Sequence, residues 1–365
     1  MEVLSLGTFG FIIHPIDLND VYRKYPFARG FPGRLVEAAL SFAPPIKTSR
    51  ITGVESPFGK ADGWFVSCPL TPRLMLGLPE PRVTRKIIAA CRMAADLGAK
   101  VVGLGAFTSV VGDAGITVRK NVDVAVTTGN SYTVATAVEA VEKAARLMEI
   151  DMDSASVLVL GASGSIGKVL SHIMADEGRR LTLCARDLGR LQRVADSIRE
   201  QTGMLPRVSR DLKASLREAD VVMCVSSAID ALIEPEDLKP GALVCDVSRP
   251  RNVSVEVKKK RDDVLIIEGG VVSVPGNVDF RFDFGFPPRQ SYACMAETMI
   301  LAMEENYTDW SLGRDLSLDR VAGIAKLAKK HGFEVAGFRS FERPVTSEEI
   351  ASIKEKARSR VRPKQ

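Results

Sequence analysis

Cysteine and histidine are sparse in this sequence, and their spacing excludes several classes of protein. The six cysteines stand at positions 68, 91, 184, 224, 245 and 294 without any C-x-x-C pair, and there are only 3 histidines. This pattern excludes a zinc ribbon or zinc finger and provides no disulfide framework. We therefore expect a protein that holds no metal.

The N-terminus lacks the features of a targeting segment. MEVLSLGTFGFIIHP has no basic n-region and no small-residue cleavage pattern. The longest uncharged stretch nearby, 124–138, is rich in Thr, Gly and Ser and too short to span a bilayer. The sequence therefore predicts a cytoplasmic protein without a transmembrane segment.

Positive charge is concentrated in one short segment. Lys and Arg number 50 against 45 Asp and Glu, a net charge of +5, but without residues 354–365 the two signs balance. A neutral body does not predict nucleic-acid binding. A capping box at 346–349 predicts a last helix. Its basic end is either a solvated helix terminus or a docking surface for an acidic carrier protein or an anionic membrane surface.

The middle third of the chain shows the clearest structural pattern. Short apolar runs alternate with helical patterns from residue 157 to residue 270. Such alternation predicts an α/β fold with a doubly wound parallel sheet of the Rossmann type. We expect four parts: an N-terminal α/β module (1–150), the Rossmann-type domain (151–286), a helical segment that packs back onto the body (287–345) and a basic C-terminal helix (346–365).

A glycine-rich loop follows the first strand of this domain and opens a helix. It reads GASGSIG at 161–167, in the strand–loop–helix context that the dinucleotide fingerprint requires. Glycine permits a tight turn and a close approach to a pyrophosphate, and the helix N-terminus offers free N–H groups. A purely structural turn is the alternative. The residues expected to contact the cofactor are Gly161, Ser163, Gly164, Ser165, Ile166 and Gly167.

The end of the second strand indicates which dinucleotide binds. NAD-specific sites usually carry Asp or Glu there, whereas this chain has Arg186, with Arg190 one helical turn later. Two guanidinium groups match a 2′-phosphate, so NADPH is predicted over NADH. Asp187 argues the other way, and Arg186 could instead cap a solvated helix. Ser226 and Asp246 end two further strands, where ligands of such sheets lie, although Asp246 could equally cap its loop.

Cys294 lies in the first turns of a predicted helix over 292–306. Pro287 and Pro288 predict a rigid entry into this helix. The helix N-terminus, with Arg289 nearby, would favour the thiolate form of a nucleophile. The residues fit a buried structural cysteine as well, and both interpretations stay open at this point.

Six segments in the same order resemble the long-chain acyl-(acyl-carrier-protein) reductases, a family best known from cyanobacteria that reduces fatty acyl thioesters to aldehydes. The resemblance extends from FGFIIHPIDL (9–18) to about residue 333. This sequence departs from the family in a longer N-terminal region around 27–45 and in an extension beyond Phe333. The segments are SRITGVESPFGKADGWFVSC (49–68), LGAFTSVVGD (104–113), TTGNSYT (127–133), GASGSIG (161–167), ARDLGRL (185–191) and RQSYACMAE (289–297).

The resemblance implies roles that spacing alone does not. Cys294 matches the acyl-accepting cysteine, and the N-terminal module would clasp the acyl chain against the NADPH-binding domain. Acyl carrier protein or CoA would carry the substrate, and an aldehyde-consuming enzyme is a conceivable partner. Candidates for the general acid or for substrate contacts, each of which could instead be structural, are His14, Thr108, Ser109, Thr127, Thr128 and Asn130.

Three alternatives are weighed against this hypothesis. A shikimate- or quinate-type dehydrogenase has a similar domain order but needs a Lys–Asp pair, and the nearest lysines, Lys86 and Lys120, lie in helical or turn-like segments. A glutamyl-tRNA reductase carries its thioester-forming cysteine in the N-terminal domain, where Cys68 would have to serve. A non-catalytic NADPH-binding sensor would bind the nucleotide without turnover.

Overall fold

The chain forms two compact units. The computed structural model describes the backbone of residues 5–361 and the side chains of residues 5–360. The first unit comprises the chain up to Tyr132 together with Val272–Glu334, and the second comprises Thr133–Val271 together with the chain from Val335. The expected segment 287–345 is therefore divided between the units, and the part with Cys294 belongs to the first.

Helices and strands alternate along most of the described chain. Those that begin before residue 150 are β1 (Leu6–Ile13), α1 (Leu18–Lys24), α2 (Gly33–Phe42), β2 (Ile46–Ser56), β3 (Gly59–Ser67), α3 (Pro72–Gly77), α4 (Glu80–Asp96), β4 (Val101–Leu104), α5 (Ile116–Arg119), β5 (Ala125–Thr127) and α6 (Asn130–Met148). The middle of the chain contains β6 (Ser156–Leu160), α7 (Ser165–Asp176), β7 (Arg180–Cys184), α8 (Leu188–Thr202), β8 (Arg207–Ser209), α9 (Leu212–Glu218), β9 (Val221–Cys224), β10 (Leu243–Asp246), α10 (Val255–Lys260) and β11 (Leu265–Glu268). The remaining elements are β12 (Val271–Ser273), β13 (Gln290–Tyr292), α11 (Ala293–Met303), α12 (Leu318–His331), β14 (Glu334–Val335), β15 (Arg339–Ser340), β16 (Arg343–Pro344) and α13 (Ser347–Val361). Among the described residues, none of these helices has the length and apolar character needed to cross a bilayer.

The first unit is built on a five-stranded sheet in the order β2-β3-β1-β4-β5. Strand β1 lies parallel between β3 and β4, and β5 extends the sheet in parallel beyond β4. Strand β2 is antiparallel to β3 and forms a hairpin with it. Phe9, Ile12 and Phe65 on β1 and β3 are fully buried and contribute to the apolar interior.

Helix α11 packs on β1 and β4 of this sheet. A β-carbon on Gly103 would lie under 3.0 Å from the Thr298 hydroxyl, and one on Gly7 would come as close to the backbone of Ala302. Because these strand positions are glycines, the helix backbone approaches the sheet closely. Every residue of α11 is buried except Cys294.

The second unit is built on a six-stranded sheet in the order β11-β10-β9-β6-β7-β8, and the neighbouring strands are parallel. The chain starts at β6, proceeds outwards through β7 and β8, and then returns to build the other half from β9 to β11. This is the doubly wound arrangement, which places ligands beyond the carboxyl ends of the strands. The predicted α/β fold class is confirmed.

The basic residues of α13 contact acidic side chains of the second unit. Lys354 and Arg358 pair with Glu149, and Lys356 and Arg360 pair with Asp262. The expected solvated helix terminus is thus an ion-paired one, because acidic groups distant in sequence lie beside it. Nothing in these contacts tests the docking-surface alternative, and Arg362 and Lys364 lie outside the described residues.

Candidate active site

Cys294 is the second residue of α11 and differs from the other cysteines of the chain. The other five are buried, whereas Cys294 is partly exposed. The backbone N–H groups of Met295, Cys294 and Ala106 lower the pKa of its thiol, because they favour the charged form. The first two belong to the first turn of a helix, where N–H groups lack intrahelical partners, and Ala106 belongs to the loop after β4. A partly exposed cysteine beside such N–H groups suits a nucleophile that passes through an anionic state.

The Cys294 sulfur is a neutral thiol at pH 7. Burial of the sulfur, together with the negative charge of Glu297, raises its pKa to about 12, and the surrounding N–H groups offset only part of this effect. The expectation that the helix N-terminus and Arg289 favour the thiolate is therefore wrong, because desolvation of the charged form outweighs them. The thiol proton must leave during any reaction at this sulfur.

Glu297, three residues after Cys294, forms hydrogen bonds between α11 and residues outside this helix. The fully buried Glu297 carboxylate accepts hydrogen bonds from the Thr127 hydroxyl at 2.5 Å, the Ser311 hydroxyl at 2.7 Å and the Tyr132 N–H at 2.8 Å. Burial raises the pKa of Glu297 despite these donors. Sequence reasoning missed this residue. The available signal was a charged side chain inside an otherwise apolar helix, since such a charge needs buried partners.

The turn between β5 and α6 lies directly against the nucleophile. Gly129 has a φ of +73°, and a β-carbon on it would lie under 3.0 Å from the Cα and Cβ of Cys294. Thr128 donates its hydroxyl hydrogen bond to the carbonyl of Ser311, and Asn130 is buried at the first position of α6. The predicted segment 127–133 therefore lies beside Cys294. The Thr128 hydroxyl stabilises the turn through its hydrogen bond to Ser311.

His14 forms a hydrogen bond with the loop 105–109, which contains Ala106, a neighbour of Cys294. Its Nε2 accepts a hydrogen bond from the Phe107 N–H at 2.9 Å, so the proton of the neutral ring is assigned to Nδ1, which lies 2.9 Å from the Pro15 carbonyl oxygen. Burial lowers the pKa of His14 to about 4. A neutral imidazole with both nitrogens engaged by the backbone does not suit the general acid that the sequence suggested.

Thr108 and Ser109 stabilise the same loop through hydrogen bonds within it. The Thr108 hydroxyl donates to the Gly105 carbonyl and the Ser109 hydroxyl donates to the Ala106 carbonyl, both at 2.7 Å. These hydroxyls fold the loop locally, and the geometry supports their structural interpretation over the catalytic one.

The glycine loop in the second unit has the shape that a dinucleotide requires. Gly161 has a φ of +90°, and a β-carbon on it would lie 2.8 Å from the Ser226 nitrogen, while one on Gly167 would collide with the Gly161 carbonyl. Helix α7 begins at Ser165, directly after the N-cap residue Gly164, and no described side chain caps it with a hydrogen bond. Its first N–H groups are therefore available to a phosphate, and Ser163, Ser165 and Ile166 are partly exposed beside them.

The two predicted arginines lie exposed after β7. Among the described residues, no carboxylate pairs with Arg186, whereas Arg190 lies 3.4 Å from the Asp187 carboxylate. Asp187 caps α8 by accepting a hydrogen bond from the Arg190 N–H. Asp187, the acidic residue that favours NADH over NADPH in the sequence, therefore caps the helix. The Arg186 guanidinium is available for a 2′-phosphate.

Asp246 and Ser226 lie at the carboxyl ends of two central strands, as expected. The buried Asp246 carboxylate accepts hydrogen bonds from the N–H groups of Ser248, Asn252 and Val253. This is the loop-capping alternative, and it leaves a direct contact with the cofactor without support. Ser226 is partly exposed next to the glycine loop.

The residues required by the rival enzyme hypotheses are engaged elsewhere. Cys68 is fully buried, whereas Cys294 is partly exposed, so a substrate reaches Cys294 more readily than Cys68. The Lys86 ammonium donates to the carbonyl of Ala43 at 2.5 Å, so it is not half of a catalytic Lys–Asp pair.

Comparison with known proteins agrees with this arrangement. Residues 139–267 match the shikimate / quinate 5-dehydrogenase family. The chain is 30% identical to the long-chain acyl-[acyl-carrier-protein] reductase of Synechococcus elongatus, over 89% of this chain and 98% of that protein. The chain belongs to the long-chain acyl-[acyl-carrier-protein] reductase family.

Two further relatives of this reductase family member are longer proteins. The chain is 30% identical to the aminotransferase PigE of a Serratia species over 74% of its own length but only 32% of that protein. It is 26% identical to the glutamyl-tRNA reductase of Polaromonas naphthalenivorans, over 64% of this chain and 52% of that protein. The family assignment confirms the resemblance seen in the sequence. The chain is an NAD(P)-dependent oxidoreductase, and its cofactor is NADPH.

Proposed function

We propose that this reductase converts a long-chain fatty acyl thioester into the fatty aldehyde, with NADPH as the reductant and Cys294 as the acyl acceptor. The observation that carries the proposal is the position of Cys294, which is partly exposed at the start of an otherwise buried helix and whose thiol pKa is lowered by backbone N–H groups of two separate segments. Family membership supports the substrate class. The acyl group would arrive on acyl carrier protein or on CoA.

The first step transfers the acyl group to the enzyme. The Cys294 sulfur attacks the acyl carbon, the bond from that carbon to the carrier sulfur breaks, and the thiol proton of Cys294 passes to the departing carrier thiolate. Because one thioester replaces another, the main contribution of the chain is to place the reactants and to stabilise charge. We assign part of that stabilisation to the backbone N–H groups of Met295, Cys294 and Ala106, which lower the pKa of the Cys294 thiol.

The second step releases the aldehyde. NADPH, when bound, supplies the hydride that reduces the acyl carbon. The Cys294 sulfur then leaves with the electron pair of the carbon–sulfur bond and takes up a proton. Its pKa of about 12 favours that return to the neutral thiol.

The chain holds the cofactor with residues that fit it. We assign the pyrophosphate to the loop 161–167 and the first N–H groups of α7. Arg186, aided by Arg190, would bind the 2′-phosphate, and Ser226 lies beside the loop. The close packing of the loop requires glycine at position 161, because a side chain there would collide with the backbone of Ser226.

The proposal is tested by incubating the protein with NADPH and a C16 acyl thioester, either the CoA ester or the acyl-carrier-protein ester. We expect hexadecanal, identified by mass spectrometry, in an amount equal to the NADPH oxidised, and none with Cys294→Ala. A protein that binds NADPH but oxidises none with either thioester would be a nucleotide-binding sensor, and the proposal would be abandoned.

A further inference from the structure

Helix α2 has two apolar faces, of which one packs on the first unit and the other is exposed. On the packed face, Val36 is buried in a small cluster with Val21 and Ala28. The exposed face consists of residues three and four positions apart, which lie on one side of a helix: Leu35, Ala38, Ala39 and Phe42. An exposed apolar face of this kind marks a site of interaction.

Two aromatic rings in the segment before α2 extend the exposed apolar surface. Phe27 is 73% exposed and Phe31 is 56% exposed, comparable with 59% for Leu35 and 77% for Phe42. We call these four side chains, with Ala38 and Ala39, the α2 surface. A surface with four large apolar side chains more than half exposed is costly in water, so we look for the partner that covers it.

Positive charge accompanies the α2 surface. The basic residues between positions 23 and 42 are Arg23, Lys24, Arg29 and Arg34, and all are exposed. The same stretch contains one acidic residue, Glu37. Among the described residues, no carboxylate pairs with Lys24, Arg29 or Arg34, whereas Arg23 lies 3.8 Å from Asp20. The surface therefore fits a partner that is apolar and negatively charged.

A row of aromatic rings connects this region with the start of α11. The Lys24 ammonium lies 5.7 Å from the centroid of the Phe282 ring. From there, successive ring centroids lie 4.6–6.4 Å apart in the order Phe282, Phe284, Phe286 and Tyr292. Tyr292 directly precedes α11, two residues before Cys294. Apolar groups thus continue from the end of α1 to the helix of the nucleophile, which suits a lipid partner.

We propose that the α2 surface docks on an anionic lipid bilayer. Leu35 and the phenylalanines enter the boundary between headgroups and acyl chains, and Arg29 and Arg34 contact the lipid phosphates. A soluble acidic protein would account for the basic residues alone, whereas a bilayer accounts for the exposed aromatic rings as well. Docking does not depend on the proposed function. Its advantage, the release of a fatty aldehyde next to a bilayer, rests on that function.

Cosedimentation of the full chain with lipid vesicles tests the proposal. We expect binding to vesicles of equal parts phosphatidylcholine and phosphatidylglycerol, and binding at least about tenfold weaker to pure phosphatidylcholine. Phe31→Gln combined with Leu35→Gln should weaken binding to the anionic vesicles about tenfold or more. Arg29→Gln combined with Arg34→Gln should also weaken it about tenfold or more. This second variant changes only exposed charges, so it decides the matter if the first fails to fold.

The matched control is Leu205→Gln combined with Val255→Gln. These side chains of the second unit are 64% and 56% exposed, so the control removes as much exposed apolar surface from another place. It should bind the anionic vesicles as the wild type does.

The proposal is overturned if the wild type stays in solution with the anionic vesicles, binds both kinds of vesicle equally, or is matched by the folded α2-surface variants. If vesicle binding is absent and the Phe31/Leu35 variant loses activity with acyl-ACP but not with acyl-CoA, the carrier protein is the occupant. If that variant instead dissociates a dimer, a second copy of the chain is the occupant. Sedimentation needs neither NADPH nor a thioester, so failure of docking is distinguished from failure of the proposed function.

Discussion

Gly129 and Cys294 are in direct backbone contact. A β-carbon on Gly129 would lie under 3.0 Å from both the Cα and the Cβ of Cys294, and the φ of +73° at Gly129 already favours glycine. The turn that follows β5 is therefore fitted to the first turn of α11. This contact fixes where the nucleophile stands relative to the sheet.

We expect Gly129→Ala to lower the kcat of the reductase at least tenfold, because the added methyl group displaces Cys294 from the N–H groups beside it. The control is Gly178→Ala. Gly178 has a nearly identical φ of +74°, and a β-carbon there would meet nothing within 4 Å. Both variants carry a backbone cost of about 1 kcal/mol, which thermal unfolding measures. Equal losses of kcat in the two variants would show that the contact between Gly129 and Cys294 does not contribute to catalysis.

The reactivity of Cys294 should depend steeply on pH. The thiolate is the form that reacts, and burial together with the charge of Glu297 raises the pKa to about 12. The rate of alkylation should therefore rise about tenfold per pH unit between pH 7 and pH 10 without a plateau. The rate is measured by intact mass spectrometry, with Cys294→Ala providing the background. A plateau near pH 9 would indicate an ordinary thiol.

Glu297→Gln should change stability and reactivity in opposite directions. The carboxylate accepts from Thr127 and Ser311 on Oε1 and from the Tyr132 N–H on Oε2. An amide has one acceptor oxygen, and its NH2 group faces a donor at the other position, so we expect a loss of about 2–4 kcal/mol in the free energy of unfolding. Removal of the negative charge lowers the pKa of Cys294, because that charge raises it in the wild type. Alkylation at pH 8 should become several-fold faster.

Ser311→Ala is the matched control for Glu297→Gln. It removes the hydrogen bond of 2.7 Å to the carboxylate, together with the contacts of the Ser311 hydroxyl with Ser131, but keeps the carboxylate itself. We expect a smaller loss of stability, about 1–3 kcal/mol, and no acceleration of alkylation. If both variants accelerate it equally, loosening of the site rather than charge explains the effect.

Arg186→Ala should weaken the binding of NADPH and spare NADH. The guanidinium is exposed and, among the described residues, pairs with no carboxylate, so a charge-assisted contact with the 2′-phosphate is its expected role. The loss of such a contact raises the Kd about tenfold or more. Titration of nicotinamide fluorescence measures both ligands. Arg190→Ala should have the smaller effect, because Arg190 already lies 3.4 Å from Asp187. Equal weakening of NADPH and NADH would refute the assignment.

The Rossmann-type half of the fold could be predicted because its signals are local. The alternation of strands and helices after residue 157, and the loop 161–167, each lie within a short window of sequence. The end of helix α12 also has a local signal, since Gly332 directly follows His331 and takes the left-handed conformation that favours glycine. The role of Asp246 could not be predicted from the sequence, because an acidic residue at the end of a strand can either bind a ligand or cap its loop.

The surroundings of Cys294 could not be predicted in the same way. His14, Ala106, Gly129 and Glu297 come together only because the sheet order places β1, β4 and β5 side by side beneath α11. Nothing in their spacing along the chain specifies that order. The pKa of Cys294 depends on the same packing, since burial opposes the favourable helix N-terminus.

The central claim is that Cys294 accepts the acyl group. It is tested most directly by the intact mass of the protein after incubation with palmitoyl-CoA or palmitoyl-ACP in the absence of NADPH. We predict an adduct of one palmitoyl group, located on Cys294 by peptide mapping, absent from Cys294→Ala and released when NADPH is added. An adduct that persists in Cys294→Ala, or a wild-type protein that turns over the thioester without ever carrying the acyl group, would contradict the account.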